Sequence, residues 1–187
     1  MNAEMYYVIG KPAYLKYDFF HYLSVASETH SYLRIPRLFT TDEQFESLDN
    51  TYIIDERDFN LRDSLGIYCL TWKKGGHYFG ICAEGAQWVH NGYSVVMNGS
   101  FANVSQALKV FPEMNVILLR SVGDEDTSIG NRLLESDGAR LDWVDSANGV
   151  CCPYILSFSE GAGIQSASQL LTEFIGYNHN SVLDKVG

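Results

Sequence analysis

The stretch VIGKPAYLKYDFF, Val8 to Phe20, carries an apolar run through a glycine and a proline to Lys16 and then into a second apolar segment. A phosphate-binding loop reads G-x-x-x-x-G-K-[ST] between a strand and a helix. Gly10 stands at the first glycine and Lys16 at the lysine. Leu15 stands where the second glycine belongs, and Tyr17 where the Ser or Thr belongs. Upstream, MYYVIG (5–10) is a β-rich apolar run closed by Gly and Pro, the pattern of a buried strand. Downstream, Leu15, Phe19, Tyr22, Leu23 and Ala26 recur at helical spacing. The stretch therefore reads as strand, loop and helix.

The same alternation continues outward. SYLRIPRLFTT (31–41) reads as a strand broken by Pro36, and NTYIIDERDFNLRDSLG (50–66) as a short strand and a helix capped near Asp55. IYCLTW is a strand, GGHYFGI a turn with a short strand, and AEGAQWVHNG a helix stopping at Gly92. YSVVMNGS is a buried strand, NVSQALKVF a helix closed by Pro112, and NVILLR a strand. IGNRLLESDGARLDWV (129–144) is predicted mostly helical, YILSF a last strand and IQSASQLLTEFIGY a last amphipathic helix. Apolar strands alternating with helices predict an α/β fold of three layers, a parallel sheet covered on both faces. Ligands of such sheets bind at the carboxyl ends of the strands, where GKPAYLKY falls.

With 187 residues, 46% hydrophobic and 19% charged, the chain has the composition of one folded domain. A net charge of -10 argues against nucleic acid or an anionic membrane as partner, since both repel an acidic surface. No apolar run is long enough to span a bilayer, and Glu4, with no basic segment before the first apolar run, argues against a secretory leader. Cys69, Cys82, Cys151 and Cys152 form no C-x-x-C, which predicts a reduced, cytoplasmic protein. Cys151-Cys152, before Pro153, reads as packing, with a redox switch as the other reading. His21, His30, His77, His90 and His179 show no metal-ligand spacing, so no metal site is expected.

The middle of the chain, YCLTWKKGGHYFGICAEGAQWVHNGYSVVMNGSFANVSQALKVF (68–111), resembles the core of the ribose 1,5-bisphosphate phosphokinases of phosphonate metabolism, relatives of guanylate kinase. In that family a Ser-Trp, a Gly-x-x-Tyr-Gly, a helix with Trp and a strand ending Val-Asn-Gly-Ser-Arg follow one another. Here they stand as Thr71-Trp72, Gly76-His77-Tyr78-Phe79-Gly80, Trp88 and Val96-Met97-Asn98-Gly99-Ser100. The resemblance implies a nucleoside-monophosphate-kinase-like P-loop fold in a single domain, residues 1–187. Its core would be 1–32, 81–120 and 151–187, with a substrate-binding insert at about 33–80 and a lid at about 121–150. It also implies transfer of the terminal phosphate of ATP, with Mg²⁺, to a phosphorylated ribose to give phosphoribosyl diphosphate.

Phosphoryl transfer is mostly positioning and charge neutralisation, so the resemblance is tested residue by residue. It assigns Lys16 as the catalytic lysine, and Gly10, Lys16 and Asp18 to the phosphates and nucleotide. Read without it, Lys16 is a solvated lysine at a helix start and Asp18 complements a helix dipole. Arg37, Tyr78 and Asn98 fall on substrate-binding positions, Tyr78 having packing on Trp72 as its plainer reading. Arg132 and Arg140 lie in the lid. Against this, Thr41 replaces the arginine that grips the acceptor phosphate, Phe79 a second tyrosine, and Phe101 the arginine after Ser100. Asp137 and Ala139 fall on the two lid arginines, and Leu15 occupies the glycine of the loop. Each lost charge contact of this kind costs about 3–4 kcal/mol of catalysis. The sequence thus predicts a kinase-like protein with eroded phosphate motifs that binds a phosphorylated ribose or nucleotide with little or no transfer. The alternative is an active ATP-dependent phosphokinase on ribose 1,5-bisphosphate or a nucleoside monophosphate. A purely structural interaction protein is the third reading, from the 12 Tyr and 10 Phe, and a homodimer or a protein partner is the further partner expectation.

Overall fold

A computed structural model of the chain describes residues 3–10, 14–121, 140–143, 154–158 and 162–183. The elements are β1 (Met5–Gly10), α1 (Tyr14–Thr29), β2 (Leu33–Arg34), β3 (Leu38–Thr40), β4 (Thr51–Ile53), α2 (Glu56–Ser64), β5 (Tyr68–Lys74), β6 (His77–Cys82), α3 (Glu84–His90), β7 (Ser94–Asn98), α4 (Val104–Val110), β8 (Asn115–Ser121), β9 (Arg140–Trp143), β10 (Tyr154–Phe158) and α5 (Ala162–Leu183).

β1 is buried along its apolar run because it lies between β7 and β8, parallel to both. The full sheet runs β2-β7-β1-β8-β10-β9, parallel throughout except for β9 at one edge. Period-2 alternation sends Tyr6 and Tyr7 to opposite faces, and both are fully buried. The Tyr6 ring meets Phe174 of α5 edge-on at 6.4 Å, and α1 packs on α5. On the Tyr7 face, Gly85 of α3 closes against Pro36 and Val95. Helices therefore cover both faces, and the α/β three-layer reading of the sequence holds. No helix among the described residues is long and apolar enough to cross a membrane.

A second sheet, β4-β3-β6-β5, is built from Leu38 to Cys82. Its pairings Leu38↔Ile81, Trp72↔Phe79 and Lys74↔His77 sort its side chains between two faces. Leu38, Leu70, Phe79 and Ile81 join the main core. Phe39, Phe59, Tyr68 and Cys82 form a separate cluster, with Phe59 supplied by α2. α2 starts at the Asp55 N-cap, whose carboxylate accepts from the Asp58 N–H at 2.7 Å.

One expected element differs. Within the stretch 129–144 read as mostly helical, the described residues 140–143 form strand β9, which pairs antiparallel with β10. Arg-Leu-Asp-Trp alternates polar and apolar, a two-residue period, and a strand there satisfies the backbone of β10 on its outer side. The rest of that segment, with Arg132, Asp137 and Ala139, lies outside the described residues, as do Lys11–Ala13 of the loop and Cys151-Cys152.

The close contact that sets the end of β7 is Gly99 on Tyr7. A Cβ at position 99 would fall 2.4 Å from the Tyr7 ring. The Tyr7 hydroxyl accepts the Ser100 N–H at 3.0 Å, so ring and chain are locked together. Gly99→Ala is expected to lower the unfolding free energy by about 1–3 kcal/mol, as overpacking of a closed core does. Urea unfolding measures it, and a change under 0.5 kcal/mol would show the contact to be slack.

Candidate functional site

The carboxyl ends of β1 and β7 lie side by side, with Val8 in register with Asn98. β1 is also where the chain changes direction across the sheet: β2 and β7 lie to one side, β8 and β10 to the other. A crevice forms at such a switch point. Here it is a pocket of about 300 Å³ between the main sheet and the second one.

Lys16, in the first turn of α1, reaches into this crevice. Its Nζ donates to the Gly99 carbonyl at 2.7 Å and to Asn98 Oδ1 at 3.0 Å. The residue is only 9% exposed, and among the described residues it makes no ion pair. An ammonium has three N–H donors, and two are taken by neutral oxygens. Burial first, and the charge of Lys74 second, push its pKa down from 10.5 to about 8. A solvated lysine at a helix start would show none of this. Gly10 lines the same pocket, and a Cβ there would crowd Leu119 at 3.2 Å.

The opposite wall comes from the second sheet. Trp72 and Phe79, a directly opposed cross-strand pair, stack with planes 6° apart and centroids at 5.4 Å. Phe45 meets Phe79 edge-on at 5.3 Å. Lys74, two residues beyond Trp72, shares its face and also lines the pocket. The described lining thus holds two ammonium groups, a flat aromatic wall and no carboxylate.

The sequence-predicted residues divide. Gly10, Lys16 and Asn98 are brought together at the pocket. Asp18 is exposed on α1 and is absent from the lining. Arg37 points away: its Nη2 and Nε clasp Glu84 at 2.7 and 3.0 Å, and this pair holds the guanidinium strongly protonated. Tyr78 also faces away, over Phe59 at 5.3 Å, with Lys73 donating to its hydroxyl at 3.1 Å. The packing of Tyr78 on Trp72 read from the sequence is thereby corrected, because adjacent register pairs lie on opposite faces. Phe79 takes the Trp72 contact instead. Arg140 opens β9, and Arg132 lies outside the described residues.

Trp72, Lys74 and Phe45 were missed as pocket residues. The Gly75-Gly76 turn in TWKKGGHYF was the signal for two of them. Both glycines have positive φ, +59° and +89°, as a two-residue hairpin turn requires. That turn fixes the register, and the register puts Trp72, Lys74 and Phe79 on one face.

No group of three or more His, Cys, Asp or Glu is gathered as a metal ion would need among the described residues.

No family model matches the chain. It is similar to curated proteins named ribose 1,5-bisphosphate phosphokinase PhnN. That of Desulfomicrobium baculatum is 37% identical over 71 residues, 38% of each chain. That of Pantoea vagans is 33% identical over 98 residues, 46% of this chain and 55% of the relative. That of Klebsiella pneumoniae is 28% identical over 93 residues, half of each chain. The matches therefore span about half or less of the relatives' length. Among solved structures, guanylate kinase from Anaplasma phagocytophilum aligns with 64% of this chain and 61% of its own, at 12% identity and a TM-score of 0.49. The resemblance read from the sequence is borne out by the curated relatives.

The depressed pKa of Lys16 has a measurable consequence for stability. The folded state releases this proton near pH 8, whereas the unfolded chain holds it to about 10.5. Below pH 8 the buried charge destabilises the fold in full, and the penalty is relieved as pH rises from 8 towards 10.5. Compared with Lys16→Met, the wild type is expected to gain up to about 3 kcal/mol between pH 7 and pH 10. Urea unfolding of both proteins across that range tests it, and a pH-independent difference would contradict the burial of a charged lysine.

Proposed function

We propose that the chain binds a phosphorylated ribose or a nucleotide in the pocket between Lys16 and the Trp72–Phe79 wall, with little or no phosphoryl transfer. The observation that carries this is the buried Lys16 ammonium, held by two neutral oxygens and facing a second lysine. A buried charge without a counter-charge is costly, and an anion supplies what the fold leaves out. With Oδ1 committed to Lys16, Asn98 has its amide N–H₂ to offer a ligand.

Four features support weak chemistry. The Thr41 hydroxyl, just past the end of β3, accepts the Tyr78 N–H at 3.0 Å and brings no positive charge. Phe79 is buried in the pocket wall, and Phe101 lines the rim without charge. Arg37 is committed to Glu84. The described lining therefore offers Lys16 and Lys74 but no arginine for the transferring group. ATP with Mg²⁺, when bound, would supply the phosphoryl group and part of the neutralising charge. Of this chain, Lys16 would donate its third N–H to a phosphate oxygen and Asn98 would orient it. A second reading, an active phosphokinase on ribose 1,5-bisphosphate or a nucleoside monophosphate, is favoured by the gathering of Gly10, Lys16 and Asn98 at one pocket and by the names of the relatives.

Calorimetric titration with Mg²⁺–ATP, ribose 5-phosphate and GMP decides between them. GMP or ribose 5-phosphate is expected to bind at pH 7 and to lose at least about tenfold in affinity in Lys16→Met. Affinity should fall as pH rises through 8, since phosphate is already fully charged there and the free lysine loses its proton. Steady ATP-dependent transfer abolished by Lys16→Met would establish the second reading. Silence with all three ligands would overturn both.

A further inference from the structure

Lys74 stands at the tip of the β5–β6 hairpin, one residue before Gly75-Gly76. Its neighbour Lys73 belongs to the other face, where it donates to the Tyr78 hydroxyl and sits 4.4 Å over that ring. Lys74 makes no such contact. It is exposed, shares the Trp72 face, and lines the pocket across from Lys16. The hairpin turn, with both glycines at positive φ, holds this lysine in register rather than leaving it on a loose loop.

We propose that Lys74 is a ligand-binding residue: with Lys16 it clamps a single phosphate group between the start of α1 and the tip of the β5–β6 hairpin. This rests on the reading of the pocket as a phosphate-ester site, and it names the second half of that site. Two like charges line one open pocket, and no described lining residue brings a carboxylate to neutralise them. The charge of Lys74 is felt at Lys16, whose proton it loosens, so the two fields overlap inside the pocket. A phosphate monoester carries close to two negative charges at neutral pH and accepts from several donors at once. It relieves the repulsion and leaves its organic end against Trp72 and Phe79. The clamp takes one donor from each sheet, so the ligand ties the hairpin to the main sheet.

The test is titration of GMP and of ribose 5-phosphate into wild type, Lys74→Gln, Lys73→Gln and Lys16→Met, with thermal melting as the check on folding. Lys74 is exposed, so its replacement is expected to leave the melt unchanged. Whichever probe binds the wild type is expected to bind Lys74→Gln roughly ten- to a hundredfold more weakly. Lys73→Gln should stay within about twofold, since its side chain serves the other face. NMR titration of the Lys16 side chain should show its pKa rising in Lys74→Gln, as a like charge is removed. Binding lost in Lys16→Met but intact in Lys74→Gln would overturn the clamp and leave the pocket reading standing. Absence of wild-type binding to both probes would overturn the clamp, and the pocket reading falls with it when Mg²⁺–ATP is silent too.

Discussion

The Lys16 ammonium, drawn under the main sheet and held by Asn98 Oδ1 and the Gly99 carbonyl, is the constraint around which the site is arranged. It ties the start of α1 to the end of β7, two segments 82 residues apart in sequence. The tie requires the chain after Asn98 to lie close over β1, and Gly99 permits that because it has no Cβ to strike the Tyr7 ring. Ser100 then donates to the Tyr7 hydroxyl and holds the chain down.

The price of that arrangement is a charge kept in a poorly solvated place, and the rest of the pocket makes sense in that light. The second sheet turns an aromatic pair and Lys74 towards it and keeps its acidic and arginine side chains elsewhere. Arg37 and Glu84 satisfy each other at the edge of that sheet. Asp58 and Arg62 pair along α2, on the far side. Beyond the neutral Asn98, Gly99 and Ser100, the described lining that faces Lys16 is apolar or positive, with no carboxylate among it.

Much of the architecture was legible before any coordinates. MYYVIG, YSVVMNGS and NVILLR each carry an unbroken apolar run because they lie in the middle of a parallel sheet with both faces covered. Asp55 capped the helix that the reading started there. The segment ending in Arg-Leu-Asp-Trp was misread, because four residues at a sheet edge owe their conformation to a partner strand rather than to their own helical propensity. Arg37 and Tyr78 matched substrate positions by sequence, yet Arg37, just before β3, is held by Glu84, and Tyr78 lies on the face of β6 opposite the pocket. Residue type and spacing do not say which face of a strand looks inward.

By itself the sequence determined the alternation of strands and helices, the placement of Gly10 and Lys16 between the first strand and the first helix, and the Gly75-Gly76 turn. These are local matters, set by periodicity and by backbone conformations open to few residues. Only the tertiary structure decided that Lys16 is buried, that its acceptors come from the end of β7, and that Lys74 and Trp72 share its pocket. Burial and field depend on what other segments place within a few ångströms, and no single stretch of chain contains its own surroundings.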